Sequence, residues 1–167
     1  MKTIIIAEAG VNHNGEIKLA KELIDIAAES KADYVKFQTF KSEKIVSQSA
    51  KKAEYQVKNF NENNDSQLSM LKSLELSERD HYVLFDYCKK KNIKFLSTGF
   101  DLLSLDFLNS LNIDFFKIPS GEITNYQYLR KVASFNKPII LSTGMSTLDE
   151  ISEAVELLNS NCTNNIT

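Results

Sequence analysis

Lys117 sits inside the apolar run Ile113 to Ile118, which then breaks into Pro119-Ser120-Gly121-Glu122. A short apolar run bounded by turn residues reads as a buried strand. An ammonium inside it is costly to bury without an anionic partner. The Ser-Gly pair beyond it offers a hydroxyl and free backbone N–H groups to an anion. The same residues would also serve a lysine that snorkels from a strand end, with a turn and a helix cap after it. Recurrence along the chain favours the site. The ends of successive strand-like runs give Glu8, then Lys36 and Gln38, then Ser97-Thr98, then Lys117 with Ser120 and Glu122, then Ser142-Thr143-Gly144. Lysines supply charge, while hydroxyls and backbone N–H groups fix orientation, so the set suits a phosphate or a carboxylate. Glu8 and Glu122 add carboxylates for proton transfer or for holding a sugar hydroxyl.

The elements that must position these residues alternate. Strands are expected at Thr3–Ala7, Asp33–Phe37, Lys94–Ser97, Ile113–Ile118 and Ile139–Ser142. Helices are expected at Glu16–Ser30, from the Ser77 cap to about Lys91, and at Asp101–Leu111 and Asn125–Phe135. A last helix, capped by Ser146 or Thr147, ends near Asn159, and the tail to Thr167 could begin a sixth strand. On the first helix Ile17, Ala20, Leu23, Ile24 and Ala27 share a face. Five βα units without hairpin signals require parallel strands and right-handed crossovers. No Gly-x-Gly-x-x-Gly follows the first strand, which argues against a dinucleotide-binding fold. Short, equal units suggest about five βα units of a (β/α)8 barrel, truncated, or an open sheet that closes otherwise. An open arc would leave Thr3–Ala7 and Ile139–Ser142 as unpaired edges.

Residues 39–76 interrupt the rhythm. They are polar and rich in Asn and Lys, with Tyr55, Phe60 and an amphipathic piece around Leu68 to Leu74. So long a connection is usually functional, a lid or substrate loop, although a mobile surface insertion would read the same way. His81, in the first turn of its helix, reads as a surface histidine. The run Lys89-Lys90-Lys91 suits a helix C-terminus rather than nucleic acid.

Composition sets outer bounds. The chain has 167 residues, 43% apolar content and a net charge of −2, which fits one globular domain and no nucleic-acid footprint. It lacks an apolar run of about 18 residues, so no membrane span is expected. The start is too short for a signal peptide, and the cytoplasm is the simplest compartment. Cys88 and Cys162 make no disulfide framework, and Cys88 falls on an apolar helical face as a buried thiol.

Five motifs in order carry a family likeness: Ile6-Ala7-Glu8-Ala9-Gly10-Val11-Asn12-His13-Asn14-Gly15, Val35-Lys36-Phe37-Gln38, Leu96-Ser97-Thr98, Phe116-Lys117-Ile118-Pro119-Ser120-Gly121-Glu122, and Lys137-Pro138-Ile139-Ile140-Leu141-Ser142-Thr143-Gly144-Met145. Together they resemble the N-acetylneuraminate (sialic acid) synthase family, in its N-terminal part. Legionaminic and pseudaminic acid synthases share the pattern. The resemblance implies a (β/α)8 barrel that condenses phosphoenolpyruvate with an N-acetylated sugar, such as N-acetylmannosamine, to a nonulosonic acid and phosphate. By position it implies Lys36, Thr98, Lys117, Ser120 and Ser142 at phosphoenolpyruvate, with Gln38 beside them. It implies Glu8 on the sugar and Glu122 near the reacting carbon, handling the proton of the attacking water. It also implies a divalent metal, manganese or magnesium, which makes the sugar aldehyde electrophilic, and a homodimer at full length. The metal-ligating histidines of the family come from late strands, and neither His13 nor His81 matches them. Gly99 stands where many relatives have Pro.

The expectation is therefore the N-terminal half of a synthase, inactive by itself, that binds phosphate or phosphoenolpyruvate weakly. The competing readings are an imine-forming aldolase using Lys36 or Lys117, and a non-catalytic fragment that binds phosphorylated ligands.

Overall fold

The computed structural model describes residues 3–47, 50 and 66–167. In chain order it has β1 (Ile6–Gly10), α1 (Ile17–Glu29), β2 (Tyr34–Thr39), α2 (Ser42–Ile45), α3 (Gln67–Leu74), α4 (Glu78–Lys90), β3 (Lys94–Gly99), α5 (Leu102–Ser110), β4 (Phe116–Ile118), a 3-10 turn (Ser120–Glu122), α6 (Tyr126–Ser134), β5 (Ile139–Leu141) and α7 (Leu148–Asn161). Every strand pair is parallel. The expected α/β alternation is present.

The sheet is not one arc. β1, β2 and β3 form one ladder, and β4 pairs only with β5. The expected strand Ile113–Ile118 shortens to three residues, because Asp114 leaves the strand to accept from Tyr34 Oη at 2.6 Å and Lys94 Nζ at 2.7 Å. The first strand is shifted forward from Thr3–Ala7, since pairing begins at Ile6↔Tyr34 and runs on to Gly10 through a bulge. Gly10 there has φ +56, a left-handed backbone that glycine adopts at least cost.

The expected free edge at Ile139–Ser142 is corrected. The tail folds back onto β5, with Ile139 N donating to Asn165 O and Thr167 N to Ile139 O, both at 2.9 Å. The possible sixth strand exists as a parallel bridge, Ile139↔Ile166. Asn136, at φ +49, clamps the turn into it by accepting from Thr163 N and Oγ1, each at 2.9 Å. Among the described residues, β1 remains an edge.

Alternation divides β2 and β3 into two faces. On one face Val35, Phe37 and Phe95 are buried, and Phe37 stacks on Phe95 with centroids 5.8 Å apart. α4 covers this side through Phe85, which meets Phe95 edge-on. Ala20, Ile24 and Ala27 of α1 and Leu84 and Cys88 of α4 complete the packing. Cys88 is the buried thiol the sequence implied, and burial pushes its pKa up to about 12, which keeps it unreactive. A capping box, Ser77 with Asp80, starts α4.

His81 corrects the sequence reading. It is 1% exposed, not a surface residue. The first turn of α4 faces inward, and the ring lies edge-on to Phe107 at 5.4 Å and Phe95 at 6.3 Å.

The amphipathic piece of the long insertion is α3, with Met70 and Leu74 buried. Both flanks of the insertion are tied at its root. Glu75 accepts from Ser42 N and Oγ at 2.9 and 2.7 Å, and Lys41 N donates to Asp101 Oδ2 at 2.8 Å. Tyr55, Phe60 and the rest of 51–65, with residues 48 and 49, lie outside the described residues.

Candidate anion-binding site

The C-terminal ends of the strands carry the charged groups. Glu8 and Lys36 are direct register partners, and Glu8 Oε2 lies 2.6 Å from Lys36 Nζ. Lys36 also donates to Thr98 Oγ1 at 3.2 Å. The register Lys36↔Leu96 and Gln38↔Thr98 puts these side chains on the face opposite Phe37 and Phe95. The Lys36 side chain is 12% exposed and that of Glu8 is 51%, so the carboxylate reaches toward solvent from an ammonium at the wall.

Lys117 is half-buried in the middle of β4. Burial lowers its pKa, nearby Lys36 lowers it further, and Glu8 opposes both. Lys117 therefore shares the field of Lys36 and Glu8 although its strand belongs to the other sheet. Among the described residues it makes no hydrogen bond or ion pair. A half-buried cation beside a second cation is a place an anion would fill.

Further groups complete the rim. The β-carbon position of Gly144 lies 3.4 Å from Ser120 Oγ, so this glycine lets the loop after β5 close on the Ser120 turn. Ser142 N donates to Ile118 O at 3.1 Å, which joins that loop to the end of β4. Gln38 Nε2 stands beside Gly10, as does Glu8 Oε1. Glu122 is turned elsewhere: its Oε2 accepts from Asn125 Nδ2 at 2.8 Å, and Asn125 caps α6. Burial raises the pKa of Tyr128, with Glu122 and Asp101 adding to it. The Tyr128 hydroxyl donates to Gly99 O at 2.6 Å.

The structure thus brings Glu8, Lys36, Thr98 and Lys117 into one field, sets Gln38 on the same face, and joins Ser120 to the Ser142 loop. Asn125, which holds Glu122, lines a groove of about 420 Å³ with Lys44, Phe100, Asp101 and Tyr128. A groove of about 610 Å³ opens at the opposite end, by Asp33, Tyr34 and Lys94, and holds none of the expected groups. Chemistry, not size, decides between them. Sequence reasoning missed Asp101 and Tyr128 as positioning groups. Asp101 could have been found as the cap before the apolar run Leu102-Leu103, but Tyr128 carried no local signal.

Gly99, where the resemblance expects Pro in many relatives, is the last residue of β3. A β-carbon there would come within 3.0 Å of Leu105 Cδ2. The turn is packed. No group of three or more His, Cys, Asp or Glu among the described residues is placed to hold a metal ion. No described helix is long and apolar enough to cross a membrane.

Comparison with known proteins agrees with the fold. Residues 23–167 match the NeuB family. The chain is 59% identical to the N,N'-diacetyllegionaminic acid synthase of Campylobacter jejuni over 94% of its length, and 54% identical to that of Legionella pneumophila over 93%. It spans 47% and 44% of those two proteins, less than half of each. A crystal structure of the N-acetylneuraminic acid synthetase of Leptospira borgpetersenii, in complex with citrate, superposes with a TM-score of 0.80 at 31% identity. That match covers 98% of this chain and 53% of the other.

Proposed function

The chain belongs to the NeuB family, and on that premise we propose that it carries the phosphoenolpyruvate-binding half of a nonulosonic acid synthase. The observation that carries the proposal is Lys117, a half-buried ammonium without a partner among the described residues, in the same field as Lys36. Two cations at one end of parallel strands suit a doubly anionic small molecule. The architecture proposed for the whole protein is a (β/α)8 barrel, homodimeric and cytoplasmic.

In this reading Lys36 and Lys117 hold the phosphate and carboxylate of phosphoenolpyruvate, and Thr98, Ser120 and Ser142 donate hydrogen bonds to them. Gln38 orients the enol. Glu8 accepts from a sugar hydroxyl. The enolpyruvate C3 bonds to the aldehyde carbon of the sugar, whose oxygen takes the C=O electron pair as an alkoxide, and C2 becomes an oxocarbenium. Water adds at C2; one of its protons passes by way of Glu122 to the sugar alkoxide, and the other leaves with phosphate as the C2–O bond breaks. Asn125 holds Glu122 away from the lysines, so its carboxylate has to swing off that contact to take the proton. The described residues do not fit the metal implied by the resemblance. The relatives named as N,N'-diacetyllegionaminic acid synthases favour a di-N-acetylated acceptor over N-acetylmannosamine.

The test is phosphate release by the complete protein from phosphoenolpyruvate, with N-acetylmannosamine and with a di-N-acetylated hexose. Release that needs no acceptor sugar would sink the proposal. One observation also fits an imine-forming aldolase: a lysine whose pKa is lowered by burial and a neighbouring cation is an activated nucleophile. Borohydride with pyruvate separates the two, since only the aldolase yields a trapped lysine adduct.

A further inference from the structure

Behind the site, on the face turned toward α4, three polar side chains form one buried chain. Thr39 is 5% exposed, and Ser97 and His81 are 1% exposed. His81 Nδ1 lies 2.8 Å from Ser77 O, and a carbonyl only accepts, so in the neutral ring Nδ1 carries the proton. His81 Nε2 then accepts from Thr39 Oγ1 at 2.8 Å. Thr39 Oγ1 in turn accepts from Ser97 Oγ at 2.7 Å. Donation therefore runs one way, from β3 through β2 to the cap of α4.

The position of this chain matters more than its strength. Thr39 follows Gln38 and ends β2, while Ser97 precedes Thr98. Alternation sends Thr39 and Ser97 to the back of the sheet and Lys36, Gln38 and Thr98 to the front. The Lys36–Thr98 contact, at 3.2 Å, has little slack before it is lost. Thr98 is the next to last residue of β3, and the ladder ends one pair beyond it, at Thr39↔Gly99. An apolar pair at Thr39 and Ser97 would fill the same space without fixing direction or distance. A one-way chain of short hydrogen bonds does both.

We propose that His81 is a positioning residue for the anion site, holding through Thr39 and Ser97 the ends of β2 and β3 that present Lys36, Gln38 and Thr98. This rests on reading that site as the phosphoenolpyruvate site. His81 does not touch the ligand. It sets the spacing of the groups that do.

The test compares His81→Phe, His81→Gln, Thr39→Val, Ser97→Ala and Lys36→Ala in the complete protein, each with its melting temperature and full kinetics. His81→Phe keeps the ring against Phe95 and Phe107 but removes both nitrogens. The expected result is a KM for phosphoenolpyruvate raised roughly threefold to tenfold in His81→Phe and Thr39→Val, the loss of one buried hydrogen bond. The KM for the acceptor sugar should hold, and the two effects should not add in the double variant, since both break one chain. His81→Gln, which keeps an acceptor for Thr39, should recover most of the loss. A folded His81→Phe with an unchanged phosphoenolpyruvate KM, beside a Lys36→Ala that loses binding, overturns the inference and leaves the site reading intact. An unchanged Lys36→Ala overturns the site reading and the inference with it. If His81→Phe fails to fold, Thr39→Val and Ser97→Ala decide, because they remove hydroxyls at near-constant volume.

Discussion

Glu8 and Lys36 face each other across paired positions of β1 and β2, with Oε2 2.6 Å from Nζ. The carboxylate is half exposed and the ammonium is nearly enclosed. An incoming anion would therefore meet Lys36 already occupied. Glu8 competes for it until a ligand with more charge and better geometry displaces it. Glu8→Gln should then tighten binding of inorganic phosphate about fivefold, near 1 kcal/mol, the scale of a partly exposed ion pair. Turnover with the sugar should fall in the same variant if Glu8 holds a sugar hydroxyl. Calorimetric titration with phosphate checks the first effect; weaker binding would remove Glu8 as the competitor.

Lys117 should be the residue whose loss costs most. Lys117→Ala should raise the phosphoenolpyruvate KM and lower turnover by about 2–4 kcal/mol, the range for a partly buried charge-assisted contact. The pH dependence has a sign. The pKa of Lys117 is depressed by burial and by Lys36, so its charge is lost at a lower pH than for a free lysine. Phosphoenolpyruvate binding should weaken on that alkaline limb, below the ordinary lysine value of 10.5. A KM profile flat up to that value would contradict the assignment.

Much of this was legible in the sequence. Lys36 and Lys117 stand out because cations recur at the ends of apolar strands, which snorkelling of a single lysine does not account for. The helix start at Ser77 was readable because its side chain caps the N–H three residues on, and of the two caps open for the last helix, Ser146 and Thr147, it is Thr147 that does so. What could not be read depends on partners far along the chain. The split between β3 and β4 turns on Asp114 leaving its strand for Tyr34 and Lys94. The burial of His81 needs Thr39 and Phe107, and the pairing of the last residues with β5 needs the clamp at Asn136.

The two histidines should make the fold sensitive to acid. His13 is fully buried, and burial first, then nearby His81, lowers its pKa from 6.5. Burial is also the main cause of the lowered pKa of His81. A group whose folded pKa is depressed keeps its contribution above the unfolded value and loses it as pH falls toward the folded one. Stability should thus be constant above about 6.5 and fall below it, by up to about 1.4 kcal/mol per pH unit for each histidine. His13 Nδ1 accepts from Gly15 N at 3.0 Å, so protonation there breaks a bond as well. Urea midpoints between pH 7.5 and 5 measure this. His13→Gln should flatten the slope, and an unaltered slope would clear His13.

Gly15 ties the loop after β1 to the insertion. Its φ is +76, and a β-carbon there would collide with the carbonyl of Ser73 near the end of α3. Gly15→Ala meets two penalties: a left-handed backbone, and a backbone atom that cannot rotate away as a side chain could. The first alone costs about 1 kcal/mol. The second can be relieved only by moving α3, which would draw Met70 and Leu74 from their burial. The expected loss is about 2–4 kcal/mol, within the range for strain combined with lost core contacts. Gly121 is the control, since nothing lies within 4 Å of its β-carbon position. Gly121→Ala should leave the melting temperature nearly unchanged. Hydrogen exchange locates the effect. In Gly15→Ala the amides of Gln67–Leu74 should exchange faster than those of β2 and β3, because α3 yields before the ladder does. Uniform acceleration across all elements would mean that the loop and the insertion are not joined at this contact.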